Sequence, residues 1–112
     1  MTPAAFRKLV LSLEGATEGA HGGHADFRSH GRVFATLGYP GKDWGMVKLN
    51  PEQQQMLVAA EPAMFVPVKG TWGLRGATSV RLAEVDARTL MSALAMALGN
   101  VAAPKRRKPT RA

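Results

Sequence analysis

Phe6, Leu9, Val10 and Leu13 recur at helical spacing, with Arg7, Lys8 and Glu14 filling polar positions around them. That stripe predicts a helix over residues 2–14 with one apolar face. Thr2 offers an N-cap oxygen, Pro3 fits the first helical position, and Gly15 ends the pattern. The same punctuation returns at Asn50-Pro51, ahead of EQQQMLVAAE. There Gln53 can reach back to the Asn50 backbone as in a capping box, and Pro62 stops the segment, which predicts a helix over 51–61. Asp86 then opens ARTLMSALAMALGNVA, where Leu90, Leu94, Leu98 and Val101 fall near helical spacing, predicting a helix over 87–102.

Between these segments the apolar period shortens to alternation. ADFRS and RVFATLG flank His30-Gly31, a pair suited to a two-residue hairpin turn. With that turn, Phe27 faces Phe34 and Ser29 faces Arg32 on one side, while Arg28 faces Val33 and Asp26 faces Ala35 on the other. WGMVKL sets Trp44, Met46 and Lys48 against Val47 and Leu49, and WGLRG and SVRLAEV read as two more strands. Five strands joined mostly by short connections, with helices before, within and after, predict an α+β single domain: an antiparallel sheet with packed helices. Phe6, Leu9, Phe34, Leu49, Leu90 and Leu94 are its expected core.

Composition narrows the setting. A chain of 112 residues is one domain's worth and can bury a core unaided. Without cysteine it has neither disulfides nor thiolate metal ligands, and a reduced cytoplasm is the expected home. MTPAAFRKLVLSLEG is too short and too amphipathic to read as a signal peptide, and no run approaches the roughly 20 apolar residues of a membrane span. The net charge of +7 is unevenly placed. PKRRKPTRA, residues 104–112, holds five of the 15 Lys and Arg and no acid, which leaves residues 1–103 at 10 against 8, a net of +2. We therefore divide the chain into a domain over 1–103 and a basic tail over 104–112, disordered by composition and suited to phosphate backbones, acidic proteins or anionic membrane surfaces, of which no membrane partner is expected.

Gly15-Ala16-Thr17-Glu18, His24-Ala25-Asp26-Phe27-Arg28, Arg32-Val33-Phe34-Ala35-Thr36-Leu37, Met46-Val47-Lys48-Leu49, Phe65-Val66-Pro67 and Trp72-Gly73 follow one another in an order that resembles the MmcQ/YjbR-like bacterial proteins. The resemblance runs to about Ala103 and leaves the tail outside. It implies a CyaY-like, or frataxin-like, α+β sandwich and a DNA-binding role resting on a double-wing arrangement, with no agreed catalytic residues.

The stretch HGGHADFRSHGRVFATL poses the chemical question, since it permits a metal site, a nucleic-acid-reading hairpin or a plain piece of core. Glu18, His21 and His24 stand at three-residue steps with Asp26 nearby, but Gly22-Gly23 disfavours the helix on which that spacing would converge, so we expect no metal. Iron handling of the frataxin kind would want an acidic ridge, and the first helix carries Arg7 and Lys8 against Glu14. No cysteine nucleophile, serine elbow, GxGxxG or phosphate loop is present, so neither an enzyme nor a cofactor is expected. Aromatic residues on alternating strands are core first; among them Trp72, flanked by Gly70 and Gly73, is the candidate for the surface.

Arg28, Arg32, Lys48, Arg75 and Arg81 all fall in or beside strands and could track phosphates, or could simply form a solvated face paired with Asp26, Asp43 and Glu84. With Lys105, Arg106, Arg107, Lys108 and Arg111 of the tail, they are the candidate contacts of a non-enzymatic DNA-associating domain. The alternative is a small-molecule-binding or accessory protein with a pocket near Glu18, His24, Lys48 and Trp72, the polar residues inside the family-like motifs.

Overall fold

Thr2 and Asn50 start two helices as their side chains allow. The Thr2 hydroxyl accepts from the Ala5 N–H, and α1 runs Pro3–Leu11, shorter than the apolar stripe that continues to Leu13. At Asn50 the box closes in both directions: Oδ1 accepts from Gln53 N–H at 2.8 Å, and Gln53 Oε1 accepts from Asn50 N–H at 3.0 Å. The computed structural model of the chain describes residues 1–102, the side chain of His21 excepted. The tail from Pro104, with Lys105, Arg106, Arg107, Lys108 and Arg111, lies outside the described residues.

Within those residues the order is α1, β1 (Thr17–His21), β2 (His24–Ser29), β3 (Arg32–Leu37), β4 (Trp44–Lys48), α2 (Pro51–Ala60), β5 (Phe65–Pro67), α3 (Thr71–Leu74), β6 (Ala77–Arg81) and α4 (Ala87–Ala102). The strands form one six-stranded sheet in the order β1-β2-β3-β4-β6-β5, every neighbouring pair antiparallel. This is the antiparallel α+β single domain that the pattern predicts, with four differences in detail.

First, β1 occupies a stretch to which the pattern assigns no element. Gly22 and Gly23, at φ 58° and 84°, make a tight turn that returns the chain directly and pairs His21 with His24. Second, WGLRG is not a strand: its first three residues belong to the one-turn helix α3. Third, Phe65–Pro67 is a strand at the sheet edge. Fourth, the β2–β3 register is not the predicted one. His30 and Gly31 do adopt positive φ, and Ser29 faces Arg32 and Arg28 faces Val33 as expected. A bulge then intervenes, so Phe27 faces Ala35 and Asp26 faces Thr36, and Phe34 is the extra residue. Both Phe27 and Phe34 are fully buried, so the bulge lets two large rings enter the core where direct opposition would set them side by side.

One sheet face is apolar and carries the helices. Val47, Val80, Phe65 and Phe27 pack with Phe6 and Val10 of α1, Leu57 of α2, and Leu90, Ala93, Leu94 and Ala97 of α4. The expected core residues are buried except Leu9, which packs at the edge half-exposed. The core helices α1, α2 and α4 all contribute to this face, and the opposite face carries none of them.

Candidate functional site

Register decides which side chains share that uncovered face, because directly opposed residues in antiparallel strands point the same way. One row crosses the whole sheet: Gly19, Asp26, Thr36, Met46, Ser79 and Val66. Two residues along β4 in either direction lie Trp44, opposite Arg81, and Lys48, opposite Ala77. Arg28 stands on the same face, two residues from Asp26. Three of the predicted cations, Arg28, Lys48 and Arg81, are thus brought to one surface. Arg32 is not, since its partner Ser29 is in step with Phe27 on the helix-bearing side.

The three cations differ in what they already hold. Arg28 grips Asp26 through two hydrogen bonds, Nε to Oδ1 at 2.9 Å and Nη2 to Oδ2 at 3.1 Å. That hydrogen bonding, and then the attraction of the Asp26 charge, pushes the Arg28 pKa still higher. Asp26 is 2% exposed, and Gly19 across the strand leaves it room, since a Cβ there would sit 3.0 Å from Oδ1. Arg81 is also engaged: its guanidinium lies 5.2 Å from the Trp44 ring centre, and Nη1 donates to the Pro62 and Ala63 carbonyls. Lys48 makes no ion pair among the described residues; its Nζ lies 5.4 Å from the centre of the Trp72 ring.

The Lys48 end is built with care. A cleft of about 160 Å³ there is lined by Lys48, Leu49, Trp72, Arg75 and Ala77. Trp72 is 60% exposed, and Arg75 is exposed beside it. The segment bearing them folds too tightly for side chains at two points: a Cβ on Gly73 would meet the Val68 carbonyl oxygen at 1.6 Å, and one on Gly76 the Leu49 oxygen at 2.0 Å. Gln54, buried in α2, donates from Nε2 to the Gly73 and Ala77 carbonyls at 3.0 and 2.9 Å and so ties α3 to β6. Asn100, near the end of α4, donates to the Lys48 carbonyl at 3.1 Å and to Gln53 Oε1 at 2.8 Å. Neither residue was legible as a positioning group: Gln54 is one of three successive glutamines, and Asn100 is a lone polar residue among apolar ones.

The alternative pocket does not assemble. Lys48 and Trp72 meet, but Glu18 is opposite Phe27 on the helix side, where its carboxylate accepts from Arg7 Nε at 3.0 and 3.1 Å. His24 is exposed at the other end of the sheet, its ring edge-on to Tyr39 at 5.8 Å. The carboxylate and imidazole needed for acid–base work beside Lys48 are therefore elsewhere. Among the described residues, no group of three or more His, Asp or Glu side chains is gathered to hold a metal, and no helix is long and apolar enough to cross a membrane.

These features define a class: a small antiparallel α+β domain with helices on one sheet face and a cation–aromatic cluster at one end of the other. The YjbR family model matches residues 11–97, and the chain belongs to the YjbR family. Its fold is similar to that of the Deinococcus radiodurans protein DR2400, which carries the domain family DUF419, with a TM-score of 0.75. That likeness covers 96% of this chain and 83% of the other at 19% identity, so it is one of fold. No curated protein matches the sequence.

Proposed function

We propose that this chain is a non-enzymatic domain that associates with nucleic acid, DNA first, through the Lys48–Trp72–Arg75 cluster and the basic tail. The observation that carries the reading is the meeting of Lys48, Trp72 and Arg75 around one cleft, with Lys48 in no ion pair among the described residues. The tail adds five cations and no acid on the same chain. Two sets of cations on one chain act on the same polyanion, and each phosphate neutralised releases counterions.

The weight among candidate contacts shifts accordingly. Arg28 and Arg81 have internal partners, and a phosphate would have to compete with Asp26 or with two carbonyls for them. Arg32 stands on the helix side and adds only long-range attraction. Lys48, Arg75 and the tail residues Lys105, Arg106, Arg107, Lys108 and Arg111 become the main contacts. A bacterial cytoplasm, where nucleic acid is accessible and thiols are reduced, is part of the same proposal and is supported by the cysteine-free sequence.

Binding of the full chain and of a chain truncated after Ala103 to two unrelated duplexes, across a series of salt concentrations, tests this. If the tail neutralises about four phosphates, the slope of log affinity against log salt is about −3 to −4 and flattens on truncation, with little difference between duplexes. An unchanged slope would move the contacts to the folded domain alone. Absence of binding by both forms at low salt would overturn the reading.

A further inference from the structure

We propose that the Trp72 ring is a stacking platform for an unpaired base, so that the domain takes single-stranded nucleic acid in preference to duplex. This rests on the nucleic-acid reading above and specifies its ligand.

Cations alone account for attraction to any phosphate backbone, but they leave Trp72 unexplained. A tryptophan that is 60% exposed forgoes most of the burial that makes the residue worth having. Here it is also held firmly: it sits on a single helical turn that Gln54 pins from below through two buried hydrogen bonds and that Gly73 draws against Val68. An exposed ring on an anchored turn presents its surface with little backbone ordering on binding.

The surroundings fit a nucleotide. The Lys48 ammonium lies over the ring at 5.4 Å from its centre, while Trp72 as a whole stays 60% exposed. Arg75 lines the same cleft, whose remaining walls are the buried residues Leu49 and Ala77. A base has a π-face whatever its identity, so one stacked on Trp72 is held without sequence selection while its phosphate meets Lys48 or Arg75. In a duplex the bases are stacked on one another and the ring finds only backbone. The aromatic contribution therefore belongs to single strands, and the cationic contribution to both.

A dye-labelled oligothymidylate and a mixed-sequence duplex of equal length separate the two contributions, using the full chain at low salt. Trp72→Ala should weaken oligothymidylate binding about ten-fold, as the loss of one stacked base would, and change duplex affinity by less than about two-fold. Trp72→Phe should restore most of the affinity, and quenching of tryptophan emission by the oligothymidylate should fall in it to what Trp44 alone gives. Lys48→Ala should weaken both ligands. If Trp72→Ala weakens both equally, or neither, stacking is overturned while nucleic-acid association stands, and Trp72 with its exposed neighbour Leu74 becomes a candidate protein contact. If the native chain binds neither ligand, both inferences fall.

Discussion

β4 begins with Trp44 and ends with Lys48, and each end of this strand makes a cation–aromatic contact on the same sheet face. The two contacts are nearly equal in distance, 5.2 Å for Arg81 over Trp44 and 5.4 Å for Lys48 over Trp72. Their consequences differ. Arg81 spends a second part of its guanidinium on the carbonyls of Pro62 and Ala63, so it ties the loop after α2 to the sheet, and its aromatic partner is half-buried. Among the described residues Lys48 has only the ring, and that ring is mostly in solvent beside Arg75. The same pairing is thus a staple at one end and an available surface at the other. What separates them is unused hydrogen-bonding capacity and exposure, which residue type alone does not give.

The largest expected effect is at the Lys48 end. Gly73→Ala would place a Cβ 1.6 Å from the Val68 oxygen, and no side-chain motion relieves a backbone clash. We expect a loss of about 3 kcal/mol in urea denaturation, together with a change in Trp72 emission. A near-neutral outcome would mean that α3 is a loose flap, and the contrast between the two ends would lose its basis. Next in size is Arg81→Ala. It removes a ring contact and leaves two carbonyls to water, which should cost about 1–2 kcal/mol, with nucleic-acid affinity little changed. Lys48→Ala should do the reverse, costing about 0.5 kcal/mol of stability while lowering affinity for either ligand. If the two substitutions had equal stability costs, staple and surface would not be distinct.

The smallest effect lies at the far end of the helix that braces Lys48. Asp86 accepts from the Thr89 N–H at 2.7 Å and lies 3.1 Å from the Thr89 hydroxyl. The backbone hydrogen bond first, then the hydroxyl, with Arg88 adding attraction, hold its carboxyl below the ordinary value. A depressed folded pKa means that the folded chain binds fewer protons than the unfolded one. The stabilisation is therefore complete above the ordinary carboxylate value of about 3.9 and is lost as pH falls through the folded one. The melting temperature should drop over that acid range, and Asp86→Asn, which keeps an oxygen acceptor, should make the drop shallower. The Trp72 emission should follow the same change only if α4 transmits it through Asn100.

Much of the frame was legible because its signals act over a few residues. Thr2, Asn50 with Gln53, and His30-Gly31 each complete their own hydrogen bonds or turn within one helical or hairpin step, and the structure realises all three. Alternation along WGMVKL put Lys48 on the face away from Val47, where it is. The short elements were not legible. β5 has three residues and α3 four, too few for a period, and α3 is tied in by Gln54, distant in sequence, whose Nε2 donates to the Gly73 carbonyl.

By itself, then, the sequence determined the α+β class, the three main helices, the central strands and the location of the basic tail. Those depend on caps, turns and hydrophobic periods that are local in the chain. Only the tertiary structure decided that Arg28 belongs to Asp26 and Arg81 to Trp44, that Glu18 turns to Arg7 on the other face, and that Lys48, Trp72 and Arg75 form one cluster. Lys48 and Trp72 come from segments separated by α2 and β5, and they meet because β4 pairs with β6 across that excursion. A charge or a ring takes its role from its neighbours, and long-range pairing chooses them.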